Sequence, residues 1–515
     1  MANSTETVRR ATIGIALLVL TSKVIGFLRE AVIAYRFGTG REYDIYLIAI
    51  SIPIALYSLF SYSMSNIFIP AYARAVADPD KESALGKVWN EFIWSLILAV
   101  VAMAAIIAFA PHIISAIAPG LDRAFLPEAV LIIRISSVII IFAALESFFR
   151  SILNAEKKFY IPASGPIFAN LIIITFILSL SSDLSTRAIL YGMVCGFAVQ
   201  VLINYGPFHR LGLWKYFSAR LNLKKCGGFF IPAVAVLIVE GSAQVYSLVD
   251  RYFASAMDPG IISALGYSYI LIQLPASIFA YALSTALFPY MSDAFAGHDD
   301  RRGSQLLSRG LKISLLMAIP ATILFWVFSD AIVALFFRRG AFDSVSVDYT
   351  AAVLKYQALG LTGHFLLWIL TRAYYAAGRM RLLLGQVVIA ISAKIIISAV
   401  IVERLGYIGL ALTSSISFTL ASLILIIGIP FTMGNLDIKK AATYFIKLAI
   451  SGAGAWCIAW YIGATMIDGA MTFWPLLGDM IIAAGATLVG FLLIGYGLKL
   501  DEIRNLWPDK KVSDD

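Results

Sequence analysis

Long apolar stretches follow one another along the chain, separated by short polar segments. Each stretch reaches the ~20 residues that an α-helix needs to cross a bilayer, and several exceed 25 residues, so tilted or extended helices are expected. The pattern predicts an all-α integral membrane protein with fourteen transmembrane helices. The predicted helices cover residues 11–37, 43–72, 86–109, 126–154, 160–181, 186–207, 227–253, 260–290, 305–328, 346–375, 381–403, 407–431, 442–465 and 475–499.

The positive charges between these stretches test the number of helices. Lys and Arg are concentrated in both terminal segments and in every second loop, whereas the other loops hold few of them. Because positive residues stay on the cytoplasmic side of a membrane, the alternation predicts an even number of spans and cytoplasmic termini. The basic segments contain Arg9 and Arg10; Arg74, Lys81 and Lys87; Arg150, Lys157 and Lys158; Arg210, Lys215, Arg220, Lys224 and Lys225; Arg301, Arg302, Arg309 and Lys312; Arg372, Arg379 and Arg381; Lys439 and Lys440; and Lys499, Arg504, Lys510 and Lys511.

The composition agrees with lipid as the solvent of this chain. Its 515 residues are 60% hydrophobic and 14% charged, with a mean hydropathy of +0.86, whereas soluble domains carry about 25% charged residues. The net charge of +9 fits loops that face anionic lipid better than it fits a nucleic-acid partner.

The sequence lacks the motifs of enzymes and of nucleotide-driven pumps. It contains no GxxxxGK[ST], Rossmann glycine run, HExxH or GxSxG. The three cysteines are far apart and the four histidines are scattered, so neither a disulfide framework nor a metal site is expected. We therefore expect a transporter without a cofactor, driven by an ion gradient or the membrane potential, with Na⁺ or H⁺ as candidate coupling ions.

A weak internal repeat pairs helices that are six spans apart. Residues 64–70 and 283–289 end the second and eighth helices with similar Ser/Phe/Pro sequences, and residues 150–155 and 372–377 end the fourth and tenth with similar basic ones. Such helix ends are also common without a repeat. A parallel repeat predicts two lobes with the substrate between them. The predicted parts are an N-lobe (1–207, helices 1–6), an amphipathic cytoplasmic linker (208–226), a C-lobe (227–431, helices 7–12), and helices 13–14 with a cytoplasmic tail (432–515).

The first predicted helix carries charges that lipid would not tolerate. Lys23 and Glu30 are seven residues apart and share a face, with Ser22 and Arg29 beside them. Charged residues inside a span usually line a hydrated cavity. Two cations and one carboxylate suit an anionic group such as a pyrophosphate, which Arg binds as a fork. The alternative is an internal salt bridge that locks this helix to a neighbour.

Other charged residues within the predicted spans are weaker candidates, because structural ion pairs or snorkelling side chains explain them equally well. Glu146, Glu240, Asp250 and Lys394 are the candidates for gating or ion coupling. The remaining members of this group are Arg134, Arg251, Lys355 and His364.

The charged part of the first helix resembles a known family. Residues 22–31, SKVIGFLREA, are followed by FG at 37–38 and by Asp44, and this order resembles the SRxxGFxRD opening of the MurJ/MviN family. The resemblance implies the multidrug/oligosaccharidyl-lipid/polysaccharide exporter superfamily. Its MurJ-like members flip undecaprenyl-pyrophosphate-linked lipid II, the peptidoglycan precursor, across the bacterial cytoplasmic (inner) membrane. The family's cationic cavity residues correspond to Lys23 and Arg29, and its carboxylates to Glu30 and Asp44. Cell-wall or polysaccharide synthesis machinery is the implied partner.

The chain departs from the family pattern on two helices. The family's Arg pair and Glu are absent from residues 56–63, which carry Tyr57 and Tyr62 instead, and no Arg precedes Pro275. Tyrosines suit sugars, so we add both to the cavity candidates. A flippase for an exopolysaccharide or O-antigen-type repeat unit is the main alternative, followed by a drug/cation antiporter and a membrane-embedded glycan polymerase. Some family members resemble cation-coupled transporters with a site among helices 7, 11 and 12, where Lys394 is a candidate for a built-in cation. Helices 13 and 14 are candidates for a groove that holds the lipid tail.

Overall fold

The computed structural model describes residues 2–217, 227–433, 438–466 and 473–504, and this part of the chain contains helices and turns but no strand. The prediction of an all-α membrane protein is confirmed. Residues 218–226 of the predicted linker and the tail beyond Arg504 lie outside the described residues, as do the side chains of Tyr62 and Glu240.

The chain divides into two compact units. The first contains the residues up to Ser263 together with Arg339–Phe342, and the second contains Ala264–Arg338 and the residues from Asp343 onward. The first unit holds α1 (Ala2–Phe37), α2 (Arg41–Ala77), α3 (Lys81–Ile117), α4 (Leu126–Ser136), α5 (Ile139–Ala155), α6 (Tyr160–Leu184), α7 (Arg187–His209) and α8 (Gly227–Ala254).

The second unit takes up the chain within α9. Its helices are α9 (Ile261–Pro275), α10 (Tyr281–Ala296), α11 (Asp300–Val327), α12 (Ser329–Phe337), α13 (Ser344–Ala358), α14 (Leu361–Ala376), α15 (Met380–Gly428), α16 (Ile438–Met466), α17 (Phe473–Gly497) and α18 (Asp501–Arg504). A π-helical turn, Ala276–Ala280, joins α9 to α10. The short apolar helix α12 lies outside the predicted spans, because nine residues are too few to produce a transmembrane hydropathy signal.

Apart from the short helices α12 and α18, the helices of the described residues overlap the predicted spans, and the predicted helices 126–154, 260–290 and 346–375 are each interrupted. In the described residues, ten helical stretches are long and apolar enough to cross a membrane when α4–α5 and α9–α10 each count as one, or eleven if α13 and α14, which meet at 53°, form one bent span. The predicted helix 126–154 is likewise divided into α4 and α5. The number fourteen stays a prediction for the whole chain.

The longest helix, α15, shows how two predicted spans join. Its 49 residues would extend about 70 Å at ~1.5 Å per residue, more than twice the ~30 Å hydrocarbon core of a bilayer. Gly406 interrupts the helix with φ 55° and ψ −137°, between the predicted helices 381–403 and 407–431. This backbone conformation favours glycine, which lacks a Cβ, although Ser185 adopts nearly the same angles, φ 48° and ψ −133°.

Small residues allow the helices of the first unit to pack closely. On α7, a Cβ at Gly196 would lie 2.8 Å from the carbonyl oxygen of Ala169, and one at Gly192 would lie 3.0 Å from the Cα of Ile173 on α6. Helices in lipid associate through such close contacts because no hydrophobic force drives them together. The α6–α7 pair thereby forms one wall of the cavity described below.

An aromatic cluster closes one end of the first unit. Trp89 on α3 lies among rings from α5, α7 and the segment after α7, and its Nε1–H donates to the carbonyl oxygen of Leu213 at 3.1 Å. The ring of Trp214 lies 4.9 Å from that of Trp89. The described start of the predicted linker is therefore anchored to the helices by aromatic contacts and a hydrogen bond. The cluster consists of Trp89, Phe92, Phe148, Phe149, Phe208, Trp214 and Phe217.

Candidate substrate cavity

A polar cavity of about 600 Å³ lies within the first unit, between α1, α2, α5, α6 and α7. Most of its polar side chains come from helix interiors that the hydropathy pattern marks as membrane-spanning. Polar groups at such positions need hydrated or protein surroundings. The charged and amide side chains in its wall are Arg29, Glu146, Arg150, Asn154, Asn170 and Gln200.

Arg29 is held in the cavity wall by two neighbours. Its Nη1 donates to Oδ1 of Asn170 on α6 at 2.9 Å, and its Nη2 is ion-paired with Glu30. The Nε of Arg29 is buried and has no hydrogen-bond partner among the described residues. The side chain is 30% exposed. The guanidinium is thus oriented by Asn170 and Glu30 while part of the side chain stays exposed, an arrangement that can accept an anionic ligand.

Glu146 and Arg150 form a second charged pair one turn apart on α5. The Arg150 Nε lies 3.0 Å from Oε1 of Glu146, whose side chain is 2% exposed. Arg150 Nη2 donates to the Ser61 carbonyl at 2.9 Å and to the Ser61 hydroxyl at 2.8 Å, which ties α5 to α2. Within the described part of the chain, neither carboxylate oxygen of Glu146 accepts an aligned hydrogen bond.

The aromatic wall of the cavity comes from α2 and α7. Tyr57 and Phe197 stack with ring centroids 4.4 Å apart and an interplanar angle of 10°, and both line the cavity. Ring edges and faces of this kind suit the apolar faces of sugars, and the tyrosine hydroxyl adds a polar group. Tyr62, the second tyrosine candidate, has no described side chain here.

Two candidates on α1 do not line this cavity. Ser22 is partly buried and Lys23 is exposed, and the lining contains Arg29 but neither of them. Lys23 lies seven positions before Glu30, which pairs with Arg29. The structure therefore brings Arg29 and Glu30 together, while the place of Ser22 and Lys23 in a binding site remains a prediction.

Asp44 is placed at a helix start. Its side chain is 6% exposed and accepts three hydrogen bonds: from the amides of Gly260 at 2.6 Å and Ser263 at 2.8 Å, and from the Ser263 hydroxyl. These donors lie where α9 begins, and the first-turn amides of a helix need such an acceptor. In this structure Asp44 therefore acts as a capping group of the first unit.

Asp250 and Lys394 are absent from the described lining of the cavity. Asp250 is partly buried on α8, and the side chain of Glu240 lies outside the described residues. Lys394 is in the second unit, where it is 1% exposed and donates through Nζ to the Ser414 hydroxyl at 2.8 Å. The roles of these three residues in coupling remain predictions.

Sequence reasoning misses much of the cavity wall. Arg150 stands among the cytoplasmic loop charges in the sequence, and Ser61, Asn154, Asn170 and Gln200 carry no signal of their own. The four-residue spacing of Glu146 and Arg150 is a detectable sign, because residues i and i+4 face each other on a helix. The amides can be found only from the packing of α6 and α7 against α1 and α5.

A family model and a related protein each match most of this chain. The family model described as Lipid II flippase MurJ matches residues 33–477. The lipid II flippase MurJ of Burkholderia cenocepacia is 28% identical over 439 residues, which cover 82% of this chain and 83% of that protein.

Solved structures share the fold. A lipid II flippase MurJ in an inward closed conformation matches with a TM-score of 0.78 and 23% identity, over 96% of this chain and 99% of that one. An inward-facing multidrug resistance MATE family transporter of the MOP superfamily matches with a TM-score of 0.65 and 14% identity, over 80% of this chain and 96% of that one.

Proposed function

We propose that this chain, which belongs to the lipid II flippase MurJ family, moves an undecaprenyl-pyrophosphate-linked saccharide, lipid II, from the inner to the outer leaflet of the bacterial cytoplasmic membrane. Members of this family are multi-pass membrane transporters and not enzymes. The chain's role is then to offer a polar path for the headgroup while the polyprenyl tail stays in lipid.

One observation carries the proposal for the headgroup. Arg29 and Arg150 line the same cavity, and Glu146 is the one carboxylate in its described lining. A pyrophosphate is a dense anion, and guanidinium groups bind its oxygens as forks with two parallel hydrogen bonds. The Arg29 side chain is 30% exposed, which supports a direct contact with the substrate.

The neutral part of the lining supports a role in glycan binding. Amides at Asn154, Asn170 and Gln200, and the Tyr57–Phe197 stack, offer donors, acceptors and an aromatic surface for a saccharide. Transport then requires that the polar cavity open to the two sides of the membrane in turn, which is alternating access.

Orientation and energy follow from the loop charges and from the lack of nucleotide motifs. The alternation of basic segments supports cytoplasmic amino and carboxy termini. We propose that the membrane potential or a gradient of H⁺ or Na⁺ drives the cycle. Enzymes that make the lipid-linked glycan on the inner side and polymerise it on the outer side are the natural partners.

Replacement of Arg29 by alanine tests the assignment of the cavity. Because the substitution removes charged hydrogen bonds worth about 1.5–3 kcal/mol, it should weaken headgroup binding by roughly ten- to a hundredfold. Growth of a strain depleted of its lipid II flippase should then no longer be restored, at an unchanged amount of folded protein in the membrane.

Arg36 provides the matched control, since it lies on the same helix and its side chain is exposed. Arg36→Ala should restore growth as well as the unmodified chain does. If Arg29→Ala also restored growth normally, Arg29 would have no role in binding the headgroup.

A different lipid-linked glycan is the second candidate. The absence of Arg from residues 56–63 and the presence of Tyr57 in the cavity favour a less charged headgroup. The same complementation separates the two: failure of the unmodified, well-expressed chain to support the depleted strain would favour an exopolysaccharide or O-antigen-type repeat unit.

A further inference from the structure

The buried carboxylate of Glu146 has an unusual environment. Its side chain is 2% exposed, and its oxygens accept no aligned hydrogen bond from the described residues. An ionised carboxylate in such surroundings is costly unless a cation compensates it. The Arg150 guanidinium, whose Nε lies 3.0 Å from Oε1, is the cation within ion-pair distance.

Arg150 is available to a ligand as well. Its side chain is 27% exposed and it lines the cavity, while its contacts with Ser61 fix one end of the guanidinium. Arg29 is in a different situation, because it already has Glu30 as its own carboxylate. The cation that Glu146 depends on is therefore also one that faces the substrate.

Arg29 is the one other cation in the described lining around Glu146, and it is already paired with Glu30. The cavity wall contributes Arg29 from α1, the Tyr57 and Ser61 hydroxyls from α2, and the amides of Asn170 on α6 and Gln200 on α7. The helix α3, which also packs on α5, adds no residue to the described lining. A carboxylate deprived of Arg150 can then regain neutrality by taking up a proton.

We infer that Glu146 and the anionic group of the substrate compete for Arg150, so that substrate binding is accompanied by the uptake of one proton from the buffered solvent onto the Glu146 carboxylate. This inference rests on the proposed function, because it assumes that a phosphate enters the cavity. The phosphate forms hydrogen bonds to the guanidinium, the ion pair opens, and one proton binds to a Glu146 oxygen. On release of the substrate the proton returns to water and the Glu146–Arg150 pair forms again.

Competition of this kind makes proton uptake part of the transport cycle. The cavity gains one positive charge relative to its resting state at the moment when the anion arrives, and loses it when the anion leaves. Proton binding and substrate binding then favour each other by linkage. A flippase with this arrangement carries one proton with each substrate.

The test is calorimetric binding of inorganic pyrophosphate to the purified full-length protein in lipid nanodiscs. Titrations at several pH values, in two buffers of different ionisation enthalpy, give the protons taken up per bound anion. The unmodified protein should take up close to one more proton than Glu146→Gln. Its Kd should weaken with rising pH, relative to that of the variant, by up to about tenfold per pH unit. The difference between variants cancels the titration of pyrophosphate itself.

Two further variants complete the experiment. Glu128→Gln is the matched control, because Glu128 pairs with Arg187 in the same unit and does not line the cavity; it should behave as the unmodified protein. Arg150→Gln removes the shared cation, so it should bind pyrophosphate more weakly and without the additional proton. This variant also tests the inference if Glu146→Gln fails to fold.

The outcomes separate the inference from the proposed function. Equal proton uptake by the unmodified protein and Glu146→Gln would overturn the competition while leaving a cavity that binds phosphate. Loss of pyrophosphate binding in Arg29→Ala supports the cavity independently of Glu146. If the unmodified protein bound no pyrophosphate at all, both proposals would fall.

Discussion

Asp44 matches the family motif of the substrate cavity, but in the structure its carboxylate caps the start of α9. The motif groups it with Arg29 and Glu30, yet its oxygens accept bonds from Gly260 and Ser263 at the start of α9. A buried acceptor that serves three donors should matter mainly for folding. Its contribution can therefore be separated from substrate binding by measuring stability.

Asp44→Asn should lower the free energy of unfolding by about 1–3 kcal/mol, because the amide nitrogen cannot accept from a backbone N–H and leaves a buried donor unpaired. The expected readout is a lower Tm in detergent. Asp183, an exposed carboxyl in the same unit, is the control: Asp183→Asn should change the stability by no more than about 0.5 kcal/mol. An unchanged Tm for Asp44→Asn would mean that the cap is dispensable.

Of the residues that line the cavity, the charged ones are those that the sequence predicts. Arg29 and Glu146 are detectable because an ion inside an apolar span is costly and therefore rare. Asn170 and Gln200 are not, since an uncharged polar residue in a span costs less and gives no sign of the neighbour that it faces. Lys23 shows the converse: it fits the motif, yet its side chain is exposed.

At the scale of helices, hydropathy predicts where the apolar stretches lie but not every break within them. The predicted span 346–375 is divided into α13 and α14, which meet at 53°. Hydropathy sums side-chain properties, whereas a bend depends on backbone dihedral angles and on packing against neighbouring helices. The break at Gly406 is predicted in the right place because charged residues and a glycine coincide there.

Gly406 should be needed for the geometry of α15. Its φ is 55°, and no atom lies within 4 Å of the place that a Cβ would occupy. Gly406→Ala would therefore be opposed by backbone strain alone, which costs of the order of 1–3 kcal/mol. We expect a correspondingly lower Tm in detergent.

Gly385 lies on the same helix, and it too has open space around its Cβ position. Because its backbone is helical, Gly385→Ala should be neutral or stabilising by up to about 1 kcal/mol. Equal Tm values for the two variants would contradict a special role for Gly406.

The cap of α13 predicts a dependence of stability on pH. Asp343 precedes the helix and accepts from the Ser346 amide and the Ser346 hydroxyl, each at 2.8 Å; these bonds hold the pKa of the Asp343 carboxyl below its usual range. A depressed pKa gives stabilisation that is complete above the unfolded-state pKa, about 3.9, and is lost as pH falls through the folded-state pKa.

The difference in Tm between the unmodified protein and Asp343→Asn should therefore shrink as the pH is lowered from about 6 to about 3. Ser344→Ala is the control, because this serine is exposed and the bonds to the carboxylate come from Ser346. A difference that stays constant over this range would show that the cap contributes no pH-dependent stability.

At the scale of the whole molecule, the distribution of charges among the loops predicts a membrane topology that can be tested. Alkaline phosphatase is active only outside the cytoplasm. Fusion after Arg339, in a loop predicted to be outside, should give an active reporter, and fusion after Arg379, in a loop predicted to be inside, should not. The opposite result at Arg339 would invert the topology from that point onward.

The all-α membrane fold and the family were accessible from the sequence because both depend on local patterns, namely runs of apolar residues and the short motif on α1. The grouping of helices was less accessible. The division of the chain after Ser263, with Arg339–Phe342 belonging to the first unit, depends on contacts between residues far apart in the chain. Hydropathy contains no information about such contacts.

The aromatic cluster has a further consequence. The indole rings of Trp89 and Trp214, 4.9 Å apart, place two chromophores in contact, one on α3 and one in the segment that follows α7. Their emission depends on the polarity around them and on their separation. Because the chain has nine tryptophans, the difference in emission between the unmodified protein and Trp214→Phe isolates the signal of this pair, which reports without any added label whether that segment is attached to the helices.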